Sequence, residues 1–190
     1  MATIPEVPKD TSIKQLLGEI MPDTAKALMA ENNSKAELAG TEMSMVVEVG
    51  GDRYSYILSN GENVTFSEGD LDSPMLRLKV SEDDLKKMIE TGNLEMLLGI
   101  QQDLNRAKYN AISTLRGSFG AEVTNDDGST FTIEAILNGS EQPHSLFKMS
   151  AADTTALMRK ETNPVNLFMS GAMKIEGDMG FAMSTQPLFS

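Results

Sequence analysis

Two stretches of apolar–polar alternation, each closed by a capped helix, constrain this chain more than any other feature. Side chains along a strand point to opposite faces in turn, so such a run buries one face and exposes the other. In the first stretch Met43, Met45, Val47 and Val49 alternate with Glu42, Ser44, Val46 and Glu48. Gly50-Gly51-Asp52 then turns the chain, and Tyr54, Tyr56 and Leu58 share one face of a return strand. Asn60-Gly61 signals a tight turn, residues 64–66 a short strand, and Leu76, Leu78 and Val80 the next clear one. Ser81 and Asp84 have the spacing of a helix N-terminus ahead of Leu85, Met88 and Ile89, and Gly92 ends that helix.

The pattern restarts later in the chain. Phe119, Ala121 and Val123 alternate, Asn125-Asp126-Asp127-Gly128 turns, and Phe131, Ile133, Ala135 and Leu137 alternate again. Asn138-Gly139 repeats the turn signal, residues 146–149 form a short strand, and Ser150 with Asp153 repeats the cap before Leu157 and Met158. Lys79-Val80-Ser81 falls on Lys148-Met149-Ser150, and Tyr54-Ser55-Tyr56 on Phe131-Thr132-Ile133. The reading is an internal repeat: a tandem pair of small α+β modules over residues 11–100 and 101–190, preceded by a flexible arm at 1–10.

Helical spacing fills the rest. Ile13, Leu16, Leu17 and Ile20 predict a helix with Thr11 or Ser12 as N-cap. Pro22 is expected to interrupt it before a second helical segment carrying Ala25, Leu28 and Met29. Residues 94–115 read as mostly helical. Asn163-Pro164 is expected to end or redirect the helix that Ser150 opens. Met173 and Ile175 mark a last strand between Gly171 and Gly177, Gly180 is a candidate for positive φ, and residues 181–183 begin a terminal helix.

Composition excludes more than it identifies. The 190 residues carry a formal charge of −12, which disfavours binding to nucleic-acid phosphates and to anionic lipid surfaces. No apolar run approaches the roughly 18 residues of a membrane span. The first residues lack the basic and apolar regions of a secretory signal, so a cytoplasmic location is expected. With no cysteine there is no thiolate nucleophile, disulfide framework or Cys-ligated zinc. The unusual feature of the composition is methionine: 14 stand beside no tryptophan, a flexible, polarizable side chain suited to irregular cores and to adaptable binding surfaces.

The last third of the chain holds an ordered run: Asn163-Pro164, then Phe168-Met169-Ser170-Gly171, then Met173-Lys174-Ile175-Glu176-Gly177-Asp178-Met179-Gly180. Phe181-Ala182-Met183 and Gln186-Pro187-Leu188-Phe189 continue it. With these motifs the segment from residue 115 to the end resembles a domain of the sterol carrier protein family. The resemblance implies an α+β fold: a curved, mostly antiparallel sheet with helices on one side and an apolar tunnel between them for fatty acid, acyl-CoA or related lipid. It places Phe168, Met169, Met173, Phe181, Met183 and Leu188 in the tunnel lining, with Phe119, Phe131, Ile133 and Phe147 contributing from the sheet. The earlier copy follows the pattern loosely. Residues 94–99 resemble 166–171, but the sequence from Ile100 onward has no counterpart of the strand at 174–180.

Catalytic constellations find little support. His144, the sole histidine, follows Pro143 and reads as a solvated loop residue, which excludes a two-histidine metal site. No G-x-S-x-G elbow and no phosphate-binding glycine loop occurs. Glu68, Asp70 and Asp72 lack the glycine and distal glutamate of a calcium loop, and Glu82-Asp83-Asp84 suits a helix N-terminus. The sequence therefore predicts non-catalytic binding or transfer of a lipid-like small molecule, with no cofactor, metal or catalytic residue. A structural or regulatory protein-interaction module with a filled core stays open beside it, as do a homo-oligomer, a protein partner and an accessory role beside an enzyme.

Overall fold

The computed structural model describes residues 5–98 and 104–189. Parts of two expectations, the arm at 1–10 and the helical span at 94–115, lie outside the described residues at 1–4 and 99–103.

Helix α1 (Ile13–Gln15) opens on Ser12, whose hydroxyl accepts the Gln15 amide at 3.1 Å. It runs through a π turn at Leu16–Ile20 directly into α2 (Met21–Glu31), so Pro22 does not interrupt the helix. The reason is local. In the π turn the Met21 N–H is given to Leu16 O, and Pro22 has no N–H to give to Leu17. The Leu17 carbonyl takes the Tyr56 hydroxyl at 2.5 Å instead, and burial pushes the Tyr56 phenol far above the ordinary tyrosine range. A short α3 (Ser34–Glu37) follows.

Strands β1 (Glu42–Val49), β2 (Asp52–Ser59), β3 (Asn63–Glu68) and β4 (Leu76–Val80) precede α4 (Glu82–Thr91) and α5 (Glu95–Leu98). After α6 (Arg106–Thr114) come β5 (Gly117–Thr124), β6 (Thr130–Leu137), β7 (His144–Ser150) and α7 (Ala151–Met158). The chain closes with α8 (Pro164–Met169), β8 (Lys174–Gly177), α9 (Met179–Ser184) and a 3-10 turn at Gln186–Phe189. Both capping signals act as read: Ser81 accepts the Asp84 amide and Ser150 the Asp153 amide, each at 3.0 Å. Asn163-Pro164 behaves differently from expectation. Asn163 caps α8 by accepting the Asn166 amide at 2.8 Å, and Pro164 occupies the first turn, where a missing N–H costs nothing. Gly180 lies within α9, and the positive φ falls on Gly177, where a Cβ would stand 2.5 Å from His144 O.

All the described strands join one eight-stranded sheet in the order β3-β2-β1-β4-β6-β5-β7-β8. It is mostly antiparallel, with parallel pairs only at β1–β4 and β5–β7. The pairing β2–β1–β4 has the same sense as β6–β5–β7. At the free edge of β7 lies β8, with Phe147 opposite Ile175; at that of β4 lies β6, with Val80 opposite Ile133. A last strand after residue 100 would find its place already taken. The sheet of residues 11–100 therefore continues into that of 101–190.

Apolar side chains from both halves form one core. Leu16, Leu17, Met21 and Met29 bury completely or nearly so against Met43, Met45 and Tyr56, which fills the helix-covered face of the first strands. The opposite face carries alternating charges: Arg53 pairs with Glu48 at 2.7 Å, Arg77 with Asp70 at 2.8 Å, and Lys148 with Glu176 at 3.0 Å. The Asp70 carboxyl is held below the usual range chiefly by its hydrogen bond to Arg77, so it is engaged in the fold. Among the described residues no group of three or more His, Cys, Asp or Glu side chains converges as a metal site would. None of the described helices is long and apolar enough to cross a membrane.

Candidate functional site: an apolar cavity

The site is built where the second half of the sheet is incompletely covered. Alternation along β5 and β7 puts Phe119, Ala121, Phe147 and Met149 on the same inner face. The helix α8 is only six residues long, and the short α9 and the final 3-10 turn complete the cover. A cavity of about 230 Å³ remains beneath them.

Of the residues expected in a lining, Phe119, Phe147, Phe168, Met169, Met173 and Met183 meet around this cavity. Ile133 and Leu188 border a smaller chamber of about 40 Å³ next to it. Phe131 is 1% exposed and stands deep in the core against a void of about 10 Å³. Phe181 packs instead on Gly117, where a Cβ would come within 2.6 Å of its ring. Its backbone N–H is tied at 2.7 Å to Asp178, the N-cap of α9, so Phe181 anchors the cover.

Sequence reasoning missed several lining residues. Ala121 and Met149 follow from the alternation already seen at Phe119 and Phe147, and Ile175 from its spacing with Met173. Phe189 lay within the closing segment. Its ring meets those of Phe119 and Phe147 edge-on, with centroids 5.7 and 6.1 Å away, and the latter two are 5.9 Å apart. Met96 carried no signal, because it belongs to the first half and reaches the cavity only through tertiary packing.

Among the described residues the lining contains no charged side chain. Its polar members are Thr185, whose hydroxyl donates to Ala182 O at 2.7 Å, and Gln186. At the mouth Val165 and Phe168 are each 43% exposed, Met183 55% and Met169 78%. A rim of this kind is an apolar surface continuous with an apolar interior.

His144 stands apart from the cavity and is not a solvated loop residue. It heads β7, half-buried, opposite Ser118 on β5, with Nδ1 2.7 Å from Ser118 Oγ. Ser118 Oγ also lies 2.6 Å from the Glu141 carbonyl, which accepts only, so the single hydroxyl proton points there. His144 Nδ1–H is therefore the donor to Ser118. That polarity is the reverse of nucleophile activation, which needs an unprotonated histidine nitrogen facing the hydroxyl.

A largely apolar cavity under short helices, on a mixed sheet, is a space suited to an apolar ligand. Residues 99–190, the part of the chain that carries most of the cavity, match the model of the SCP-2 sterol transfer family. Similar solved structures include sterol carrier protein 2 from Yarrowia lipolytica in its apo form, 18% identical with TM-score 0.35, covering 44% of this chain and 74% of that one. The sterol carrier protein domain 2 of Helicoverpa armigera is 24% identical with TM-score 0.38, covering 53% and 84%. Sterol carrier protein 2 like 2 from Aedes aegypti is 9% identical with TM-score 0.26, covering 90% and 95%. No curated protein matches the chain.

Proposed function

We propose that this protein binds or transfers a lipid with a flexible hydrocarbon chain, such as a fatty acid or acyl-CoA, without altering it chemically. The observation that carries the reading is the lining: apolar side chains surround about 230 Å³ with no ionic partner among the described residues. A charged head group would then remain at the mouth, since burying an unpaired charge is strongly unfavourable. The volume lies below the roughly 300–1,000 Å³ of typical ligand pockets. A flexible chain threads such a space, whereas a rigid fused-ring ligand requires its walls to move. Support for a non-catalytic role comes from the chemistry of the lining, which among the described residues offers no acid, base or thiol and one hydroxyl already engaged by Ala182 O. In this reading residues 11–100 form a module whose filled core braces the sheet of the second module, 101–190, and the protein acts in the cytoplasm.

Titration calorimetry of lipid-stripped protein with saturated fatty acids tests it. Affinity is expected to rise steeply from octanoate upward, by about fourfold for each methylene that becomes buried. Absence of binding at every chain length refutes the reading. The exposed rim of Val165, Phe168, Met169 and Met183 favours a second one, a protein-interaction module or homo-oligomer. Copurified lipid in native mass spectrometry supports the first, and a lipid-free dimer or complex the second.

A further inference from the structure

The main cavity and the 40 Å³ chamber beside it share Met96, Phe119 and Phe189 as walls. We infer that Met96 and Phe189, closing against Phe119, form a movable partition, and that through Met96 the half of the chain outside the family match sets how long an acyl chain the site accepts. The inference rests on the proposed lipid binding and adds to it a determinant of chain length.

The chamber has an identifiable cause. Strand register aligns Leu78 on β4, Ala135 on β6 and Phe119 on β5 in one row across the sheet. Ala135 leaves a hollow between two larger neighbours at the junction of the two halves, and Leu188 and Met158 roof it. A methyl end that passed the partition would lie on β4, in the first half of the chain.

The three walls differ in freedom. Phe119 is buried in the middle of a strand paired on both sides, so it is the fixed element. Met96 is partly buried, and its thioether chain moves through several rotamers at little cost. Phe189 is half-buried at the end of the last 3-10 turn and is held mainly by its edge-on contacts with Phe119 and Phe147. The backbone beneath Met96 is pinned, since Glu95 accepts from Arg159 at 2.9 and 3.2 Å across to the end of α7. Side-chain motion at Met96 and Phe189 then joins the chambers without moving a helix.

Octanoate and dodecanoate differ by four methylenes, and the added length is buried beyond the main cavity only where the partition lets it pass. The test is the ratio of octanoate to dodecanoate dissociation constants in full-length, lipid-stripped protein. Met96→Ala removes the wall and is expected to shift the ratio toward dodecanoate by about fourfold, the gain from one further buried methylene. Ala135→Val fills the chamber from behind and is expected to shift it the other way. Two folded variants with the wild-type ratio overturn the inference; if one fails to fold, Phe189→Ala takes the place of Met96→Ala with the same expected sign. Failure of the wild type to bind either acid removes the lipid-binding reading itself, which is a different result from binding with an unmoved ratio.

Discussion

Phe147→Ala and Phe131→Ala remove the same ring from strands on either side of β5 and are expected to differ in cost, because only Phe147 borders the large cavity. Truncating a buried Phe costs about 3–5 kcal/mol, the spread reflecting how many packing contacts are lost. Phe147 is 5% exposed, but one side of it lines the 230 Å³ cavity, so it forfeits fewer contacts and belongs at the low end, about 3 kcal/mol. Phe131 is 1% exposed with a void of only about 10 Å³ nearby, which places it near 5 kcal/mol. At about 2–4 °C per kcal/mol for a chain of this size, melting should fall by roughly 6–12 °C for Phe147→Ala and 10–20 °C for Phe131→Ala. Scanning calorimetry of lipid-stripped protein, with urea titration as a second measure, reads the difference. Adding octanoate at a hundred times its dissociation constant should stabilise the wild type by about 2.7 kcal/mol. Equal losses for the two variants, or a larger one for Phe147→Ala, would mean that Phe147 is packed on all sides and that the cavity is closed in solution.

Two further substitutions test the supports of the site. Gly117→Ala places a Cβ 2.6 Å from the Phe181 ring at a backbone φ of +148°. Strain and overpacking together should cost about 2–5 kcal/mol, with ligand affinity falling as α9 is displaced; retention of both stability and affinity in melting and binding assays would refute the anchoring role of Phe181. Asp127 is lowered from the ordinary 3.8 to about 2 by the Ser129 hydroxyl and amide and then by Lys87. A depressed carboxyl stabilises fully above its unfolded value and loses that contribution as pH falls through the folded value, so wild-type stability should decline between about pH 4 and pH 2. Asp127→Asn is expected to flatten that part of the melting temperature against pH, and an unchanged acid limb would contradict the assignment.

Much of the architecture was legible because its determinants are local. Alternation fixed the inner faces of β1, β5 and β6, Asn-Gly pairs placed turns, and Ser81 and Ser150 set helix starts through their own side chains. Where the reading failed, a distant group supplied a missing hydrogen bond or changed its direction. Pro22 sits within a continuous helix because Tyr56, from β2, satisfies the carbonyl that proline leaves open. His144 is half-buried because strand pairing sets it opposite Ser118.

Residues 163–189 spell out in order the closing segment of a sterol-carrier-type domain, legible without any fold. The lack of cysteine and of a second histidine likewise removes thiol chemistry and a two-histidine metal site. Which apolar side chains line space and which fill it emerges from packing alone. Phe119 and Phe131 have the same spacing and hydrophobicity, yet one borders the cavity and the other is enclosed. That distinction depends on how completely α8, α9 and the final turn cover the sheet, and on Met96 arriving from the other half of the chain. Periodicity reports which face a residue occupies; the length of the elements packed above it decides whether anything is left between them.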